Sequence, residues 1–178
     1  MTVSLSLPSE LRTERLLLRR WRLGDEAILR AAVDASDGHL RPWIPWMKDE
    51  PRSLDETAAR LAHQIAEFGA GVTFCFAVFC DGAFVGEVML MTRAGPGALE
   101  IGYWLHADHV GRGYGREAVS RLIALADELG IRRLEAWCAV DNTRSSALVQ
   151  RLGFARERVA EDGGVTYGVW VRPADGCV

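Results

Sequence analysis

Three alternating glycines lie between a predicted strand and a predicted helix, in the segment VGRGYGR at 110–116. Glycine has no Cβ, so the backbone can approach a ligand closely there. The first N–H groups of the following helix have no partner within the helix, and together with the positive end of its dipole they favour an anion, above all a phosphate. The segment therefore favours a strand–loop–helix unit that presents its loop to a ligand, and a flexible surface turn is the alternative.

The rest of the chain alternates strand and helix patterns around this unit. Asp81-Gly82 between two apolar runs indicates a hairpin, and Ser53 with Glu56 has the form of a capping box that begins a helix. We predict strands at 15–21, 74–80, 84–91, 98–105, 132–140, 154–160 and 165–171. We predict helices at 24–33, 53–68 and 143–152, a helix that ends at Leu129, and an ordered loop at 39–51.

This order of hairpins and crossovers predicts a mixed α/β fold. We expect one mixed, largely antiparallel sheet of about seven strands with helices on both faces. The 178 residues contain no internal repeat and no low-complexity linker, and their number suits one domain, 1–178.

Composition and charge exclude several other classes of protein. The formal net charge is -3, so no nucleic-acid partner is expected. No stretch approaches the roughly 18 consecutive apolar residues of a membrane span, and the amino terminus lacks the apolar region of a secretory signal; we expect no membrane partner and a cytoplasmic location. No C-x-x-C or other metal-ligand spacing occurs, so we predict no metal and reduced cysteines at Cys75, Cys80, Cys138 and Cys177.

Two nucleotide-binding motifs are alternative interpretations of the glycine segment. GYGREA at 113–118 matches G-x-G-x-x-A, and Glu135 lies at about the distance expected for a ribose-binding carboxylate. However, seven residues separate the strand from the first glycine, and too little chain follows for a doubly wound sheet. No G-K-[ST] follows either, so a P-loop is also disfavoured.

Several motifs at a common spacing then point to one family. EIGYWL at 100–105, GRGYGREA at 111–118, and Asn142-x-x-Ser145 followed by LGF at 152–154 occur in the order typical of the GNAT N-acetyltransferases. An early R-L-x-L-R pattern at 15–19 and P-W-x-x-W at 42–46 resemble the RimJ/RimL type, which acetylates protein amino termini. The resemblance implies the GNAT fold, with strands 98–105 and 132–140 splayed apart, and acetyl-CoA as cosubstrate.

The resemblance also implies where acetyl-CoA binds. The backbone at Gly111, Arg112, Gly113, Gly115 and Arg116 would hold the pyrophosphate, flanked by Val110 and Tyr114. The strand that ends at Leu105 would pair with the pantetheine arm. Asn142 would donate a hydrogen bond to the cofactor, although it could equally cap the helix that follows it, and both roles can hold together.

Catalytic groups are less well defined by these motifs. Many relatives have a tyrosine acid at the position of Val149, so the hydroxyl of Ser145 becomes the candidate acid near the sulfur. Glu100 is the candidate base, because some GNAT enzymes keep a glutamate there. Glu87 on the neighbouring strand, or water, remains an alternative.

The resemblance also implies that the acceptor is a primary amine. Roughly one α-amine in seven is neutral at pH 7 but only about one lysine in 2,500, so an α-amine suits a site with modest acid–base groups. We expect Trp43, Trp46 and Glu87 to contact it, with both tryptophans as core residues being the alternative. The leading acceptor is a peptide or protein N terminus. One alternative is a small-molecule amine such as an aminoglycoside or peptide antibiotic. Another is a CoA-binding sensor that has no acceptor. A homodimer is the candidate oligomeric state.

Overall fold

A computed structural model describes residues 5–173, in which four helices and eight strands form one layered unit. The strands are β1 (Glu10–Arg12), β2 (Leu16–Arg20), β3 (Thr73–Cys80), β4 (Ala83–Met91), β5 (Ala98–Leu105), β6 (Arg133–Ala139), β7 (Ala155–Asp162) and β8 (Val165–Pro173). The helices are α1 (Glu26–Leu40), α2 (Leu54–Ala70), α3 (Tyr114–Glu128) and α4 (Thr143–Arg151). Within this part of the chain, no helix is long and apolar enough to cross a membrane.

The strands form one sheet in the order β1-β2-β3-β4-β5-β6-β8-β7, antiparallel except where β5 pairs with β6. The mixed, largely antiparallel sheet is thus confirmed, with one strand more than the seven predicted. The additional strand is β1, whose three residues pair with β2 and bury only Leu11. Three residues are too few for an alternating pattern to stand out in the sequence.

Helices cover both faces of the sheet, as predicted. β3 is buried on both sides, and its side chains alternate between two apolar clusters. Phe76 and Val78 pack in the cluster that contains Val119 of α3, while Ala77 packs with Leu29 of α1.

The segment 24–51 differs from its prediction. α1 continues to Leu40, seven residues beyond the predicted end, because Leu29, Val33 and Leu40 lie on one buried face. A 3-10 helix, Pro45–Asp49, then forms within the predicted loop. Near the end of α1, the buried hydroxyl of Ser36 accepts a hydrogen bond from the Ala107 N–H at 3.0 Å. This contact fixes α1 against the chain that leaves β5.

Candidate active site

A cavity of about 630 Å³ lies at the end of β5. Three parts of the chain line it: the end of α1 with the following loop, the end of β5 with the glycine segment, and the start of α4. The lining residues are His39, Leu40, Trp43, Ile44, Tyr103, Trp104, Leu105, Val110, Gly111, Asp141, Asn142, Thr143, Arg144, Ser145 and Leu148.

The two parallel strands separate where the cavity begins. β5 and β6 pair only from Ala98 with Arg133 to Glu100 with Glu135, although β5 continues to Leu105 and β6 to Ala139. From Ile101 onward, the edge of β5 that faces β6 therefore has no strand partner among residues 5–173. The expected splay is present, and an extended ligand with amide groups can pair with this edge, as an added strand would.

The glycine segment has the backbone conformation that an anion site needs. Gly111 and Gly113 have φ of 77° and 83°, in the left-handed region that favours glycine. Gly113 is the N-cap residue of α3 and supplies no side-chain cap, and the helix makes its first backbone bond from Glu117 N–H to Gly113 O at 3.0 Å. The N–H groups at 114–116 are therefore without partners inside the helix. These groups fit a pyrophosphate.

The turn between β1 and β2 supports this loop from outside. The carboxylate of Glu117 accepts hydrogen bonds from Thr13 Oγ1 at 2.5 Å, from Arg15 N at 2.9 Å and from Arg15 Nε at 2.7 Å. A second guanidinium nitrogen of Arg15 donates to the Arg112 carbonyl at 3.2 Å. Burial raises the pKa of Glu117, but these hydrogen bonds from Thr13 and Arg15 outweigh it and lower the pKa below the usual value.

A chain of polar side chains crosses the cavity wall between β5 and α4. The Tyr103 hydroxyl lies 2.7 Å from Ser145 Oγ, and Cys138 Sγ lies 3.2 Å from the same oxygen. Burial raises the pKa of Tyr103, with Cys138 adding to the shift. Asn142 caps α4, since its Oδ1 accepts from the Ser145 N–H at 3.1 Å. Val149 is fully buried and supplies no polar group.

Glu87 lies outside the cavity lining and is fully buried. Its carboxylate accepts hydrogen bonds from the indole N–H of Trp21 at 2.6 Å and from that of Trp104. The Arg60 guanidinium lies 3.7 Å from it. In this arrangement Glu87 joins β4 to its neighbours and does not face the cavity, so the structure does not bring it to the position we expected.

Glu100 is also outside the lining, at the closed end of the splay. It is 5% exposed and forms an ion pair with Arg93, whose Nε donates at 2.6 Å. The carboxylate is therefore paired with a guanidinium outside the cavity lining.

The two tryptophans after α1 have different surroundings. Trp43 lines the cavity, as expected of an acceptor wall. Trp46 does not; it packs edge-on against Trp104 with ring centroids 6.3 Å apart, and the Arg60 guanidinium lies 3.8 Å above its ring. Trp46 is therefore packed as a core residue, which was the alternative to a role in acceptor binding.

Five charged or polar residues of the lining were missed from the sequence: His39, Tyr103, Asp141, Thr143 and Arg144. Tyr103 could have been found, because it lies two residues before Leu105 and so shares its face of β5. Burial lowers the pKa of His39, and Arg144 lowers it further. Among the described residues, no group of three or more His, Cys, Asp or Glu could hold a metal ion, and the described cysteines, Cys75, Cys80 and Cys138, are free thiols, while Cys177 lies outside that range.

Comparison with known proteins agrees with this geometry. Residues 15–155 match the family model described as Acetyltransferase (GNAT) domain. YdaF of Bacillus subtilis (strain 168), a ribosomal N-acetyltransferase by name, is 40% identical over 65 residues, which is 36% of either chain. The uncharacterized N-acetyltransferase p20 of Bacillus licheniformis is 39% identical over 152 residues, 84% of either chain.

A solved structure shares the fold over nearly the whole length. RimL, a ribosomal L7/L12 alpha-N-protein acetyltransferase in complex with coenzyme A, superposes with a TM-score of 0.83 at 24% identity, covering 93% of this chain and 97% of its own. The splayed strands, the glycine segment at the start of α3 and the family match over 15–155 lead to one conclusion: the chain belongs to the GNAT acetyltransferase family.

Proposed function

We propose that this protein transfers the acetyl group of acetyl-CoA to the α-amine of a peptide or protein N terminus. One observation carries the proposal: the unpaired edge of β5, Gly111 of the loop that leads into α3, and the hydroxyl of Ser145 meet at one cavity of about 630 Å³. This is the arrangement needed to hold a long thioester with its reactive end near a hydroxyl.

In this proposal the pyrophosphate of acetyl-CoA binds at the glycine segment and the pantetheine arm extends along β5. The N–H groups at 114–116, which have no partner within α3, would bind the pyrophosphate, with the backbone of Gly111, Arg112 and Gly113 beside them. A Cβ at Gly115 would lie 3.2 Å from Leu105 Cδ1, so α3 packs closely against the end of β5. Val110, Tyr114 and Arg116 flank the anion site, and the free edge of β5 leads from it to Ser145.

The reaction needs few protein groups at its centre. The neutral amine attacks the thioester carbonyl carbon, the new C–N bond forms, and the C–S bond breaks with its electrons on sulfur. The second proton of the amine reaches the sulfur, so the products are the amide and the free thiol. Ser145 supplies a hydrogen bond to the developing thiolate, the role its motif position implied.

Water is the base in this proposal, because neither candidate glutamate is free. Glu100 is paired with Arg93, and Glu87 is enclosed by indole donors. The cavity lining itself contains the carboxylate of Asp141, which is exposed just before α4. A site without a buried free carboxylate suits an amine of low pKa, and the α-amine is the low-pKa amine of a polypeptide.

The acceptor enters, in this proposal, along the wall formed by the end of α1 and the following loop. His39 and Trp43 belong to that wall. A cytoplasmic location and a homodimer stay predictions.

Mass-resolved acetylation tests the acceptor. A peptide with a free N terminus and one internal lysine is incubated with acetyl-CoA, alongside the same peptide already acetylated at its N terminus and a panel of aminoglycosides and amine-bearing peptide antibiotics. We expect thiol release and an added acetyl group on the α-amine of the first peptide only. If only a small-molecule amine is acetylated, the proposed peptide acceptor is wrong. If coenzyme A binds but no amine is acetylated, the protein is better described as a sensor.

A further inference from the structure

The hydroxyl of Tyr103 lies within hydrogen-bond distance of Ser145, the residue that donates a hydrogen bond to the thiolate in the proposed reaction. Its oxygen is 2.7 Å from Ser145 Oγ and 3.3 Å from the Ser145 carbonyl oxygen. The two side chains come from different elements, β5 and α4, and both line the cavity. Ser145 alone could rotate its hydroxyl freely, so the contact with Tyr103 restricts it.

The chemistry of the two hydroxyls indicates which one donates. A phenol is a far stronger acid than an alcohol, so in a phenol–alcohol pair the phenol is the better donor. The shorter of the two Tyr103 contacts is the one to Ser145 Oγ. With Tyr103 donating there, the proton of Ser145 is free to point elsewhere.

A sulfur atom lies within hydrogen-bond distance of Ser145 Oγ, and either atom of that contact could be the donor. Cys138 Sγ lies 3.2 Å from Ser145 Oγ, and a thiol sulfur is a weak acceptor. Burial raises the pKa of Cys138, which keeps it a neutral thiol. A thiolate in the cavity is a much stronger acceptor and would take the hydrogen bond from it.

We propose that Tyr103 is a positioning residue that donates to Ser145 Oγ and thereby directs the Ser145 proton at the sulfur of coenzyme A. Tyr103 thus supplies from β5 a polar group near the sulfur. Val149 of α4 cannot supply one, because it is apolar and fully buried. The inference rests on the proposed function. It moves no electrons of its own: the proton that ends on sulfur is the one released by the amine.

The pKa of the thiol of bound coenzyme A tests this without knowledge of the acceptor. Thiolate absorbance of the coenzyme A complex is followed against pH for the wild type, Tyr103→Phe, Ser145→Ala and the double variant. A hydrogen bond to sulfur stabilises the thiolate, so each single variant should raise the thiol pKa, and the double variant should raise it no further than Ser145→Ala. In turnover, Tyr103→Phe should lower kcat roughly 2- to 12-fold, the loss of one hydrogen bond, with the KM for acetyl-CoA unchanged.

Two controls separate positioning from structure. Tyr167→Phe removes a buried phenol hydroxyl outside the cavity lining, and Ser146→Ala removes the hydroxyl next along α4; both should leave the thiol pKa and kcat unchanged. An unchanged thiol pKa in Tyr103→Phe, or an equal further shift when Tyr103→Phe is added to Ser145→Ala, would overturn the inference while leaving the acetyltransferase proposal standing. Failure of the wild type to bind coenzyme A would refute both.

Discussion

Replacing Glu117 with glutamine should loosen the support of the glycine loop in a pH-dependent way. The carboxylate accepts hydrogen bonds from Thr13 and from the backbone and side chain of Arg15, and its own side chain is only 18% exposed. Glutamine keeps one acceptor oxygen but turns an NH₂ group toward these donors. Hydrogen bonds to a charged group contribute about 1.5–3 kcal/mol each, but the Arg15 side chain is 45% exposed and solvent screens its share, so we expect a loss of about 1–3 kcal/mol at pH 7.

The sign of the pH dependence follows from the lowered pKa of Glu117. The folded state holds this carboxyl in its charged form more strongly than the unfolded chain does. Its contribution is therefore complete above the ordinary value of 4.5 and is lost as the pH falls through the folded-state pKa. The difference in unfolding free energy between the wild type and Glu117→Gln should be largest at pH 7 and should shrink below about pH 4.5.

Urea unfolding at several pH values between 3 and 7 measures this difference. Glu128→Gln on the same helix is the matched control, because Glu128 is 60% exposed and contacts Arg121 at 3.2 Å; it should change stability by less than about 0.5 kcal/mol. A difference for Glu117→Gln that stays constant down to pH 3, or one no larger than the control at pH 7, would refute the reasoning.

Three further predictions concern the acceptor wall and the sheet. Trp43→Ala should raise the KM for the acceptor with little change in melting temperature, whereas Trp46→Ala should lower the melting temperature, since Trp46 packs on Trp104 and Arg60; steady-state kinetics with thermal denaturation distinguish the two. Gly86→Ala should cost on the order of 3 kcal/mol in urea unfolding, because its Cβ would lie 2.2 Å from the Trp104 carbonyl oxygen, and an unchanged midpoint would contradict this close approach. His39→Asn should remove the part of the fall in kcat/KM at low pH that comes from protonation of His39, whose pKa lies below the usual 6.5, and should leave the part that comes from protonation of the acceptor amine; an unchanged pH profile would place the imidazole outside the acceptor path.

The sequence predicted those parts of the molecule whose signals are local. The glycine segment, the hairpin at Asp81-Gly82 and the capping box at Ser53 each depend on a few neighbouring residues, and each appears in the structure as expected. β1 was missed because three residues carry too little pattern. The longer α1 was missed because Gly38, a poor helix former, precedes its last buried residue, Leu40.

The surroundings of individual side chains could not be predicted from local sequence signals. The sequence places Glu87 and Glu100 on adjacent strands, but it does not show that Trp21, 66 residues away, donates to Glu87 or that Arg93 pairs with Glu100. These partners occupy both carboxylates. Contacts of this kind arise from tertiary packing, which also brings Tyr103 to Ser145 across 42 residues.

The central claim is that the backbone around Gly113 holds the pyrophosphate of acetyl-CoA, and calorimetric titration with acetyl-CoA tests it most directly. Gly113→Ala is compared with Gly130→Ala, since both glycines have left-handed φ, 83° and 69°, and only the first lies at the proposed anion site. Both substitutions carry similar backbone strain, so stability should fall alike. We predict that the dissociation constant for acetyl-CoA rises at least about tenfold in Gly113→Ala and is unchanged in Gly130→Ala. Equal affinity in the two folded variants would contradict the account.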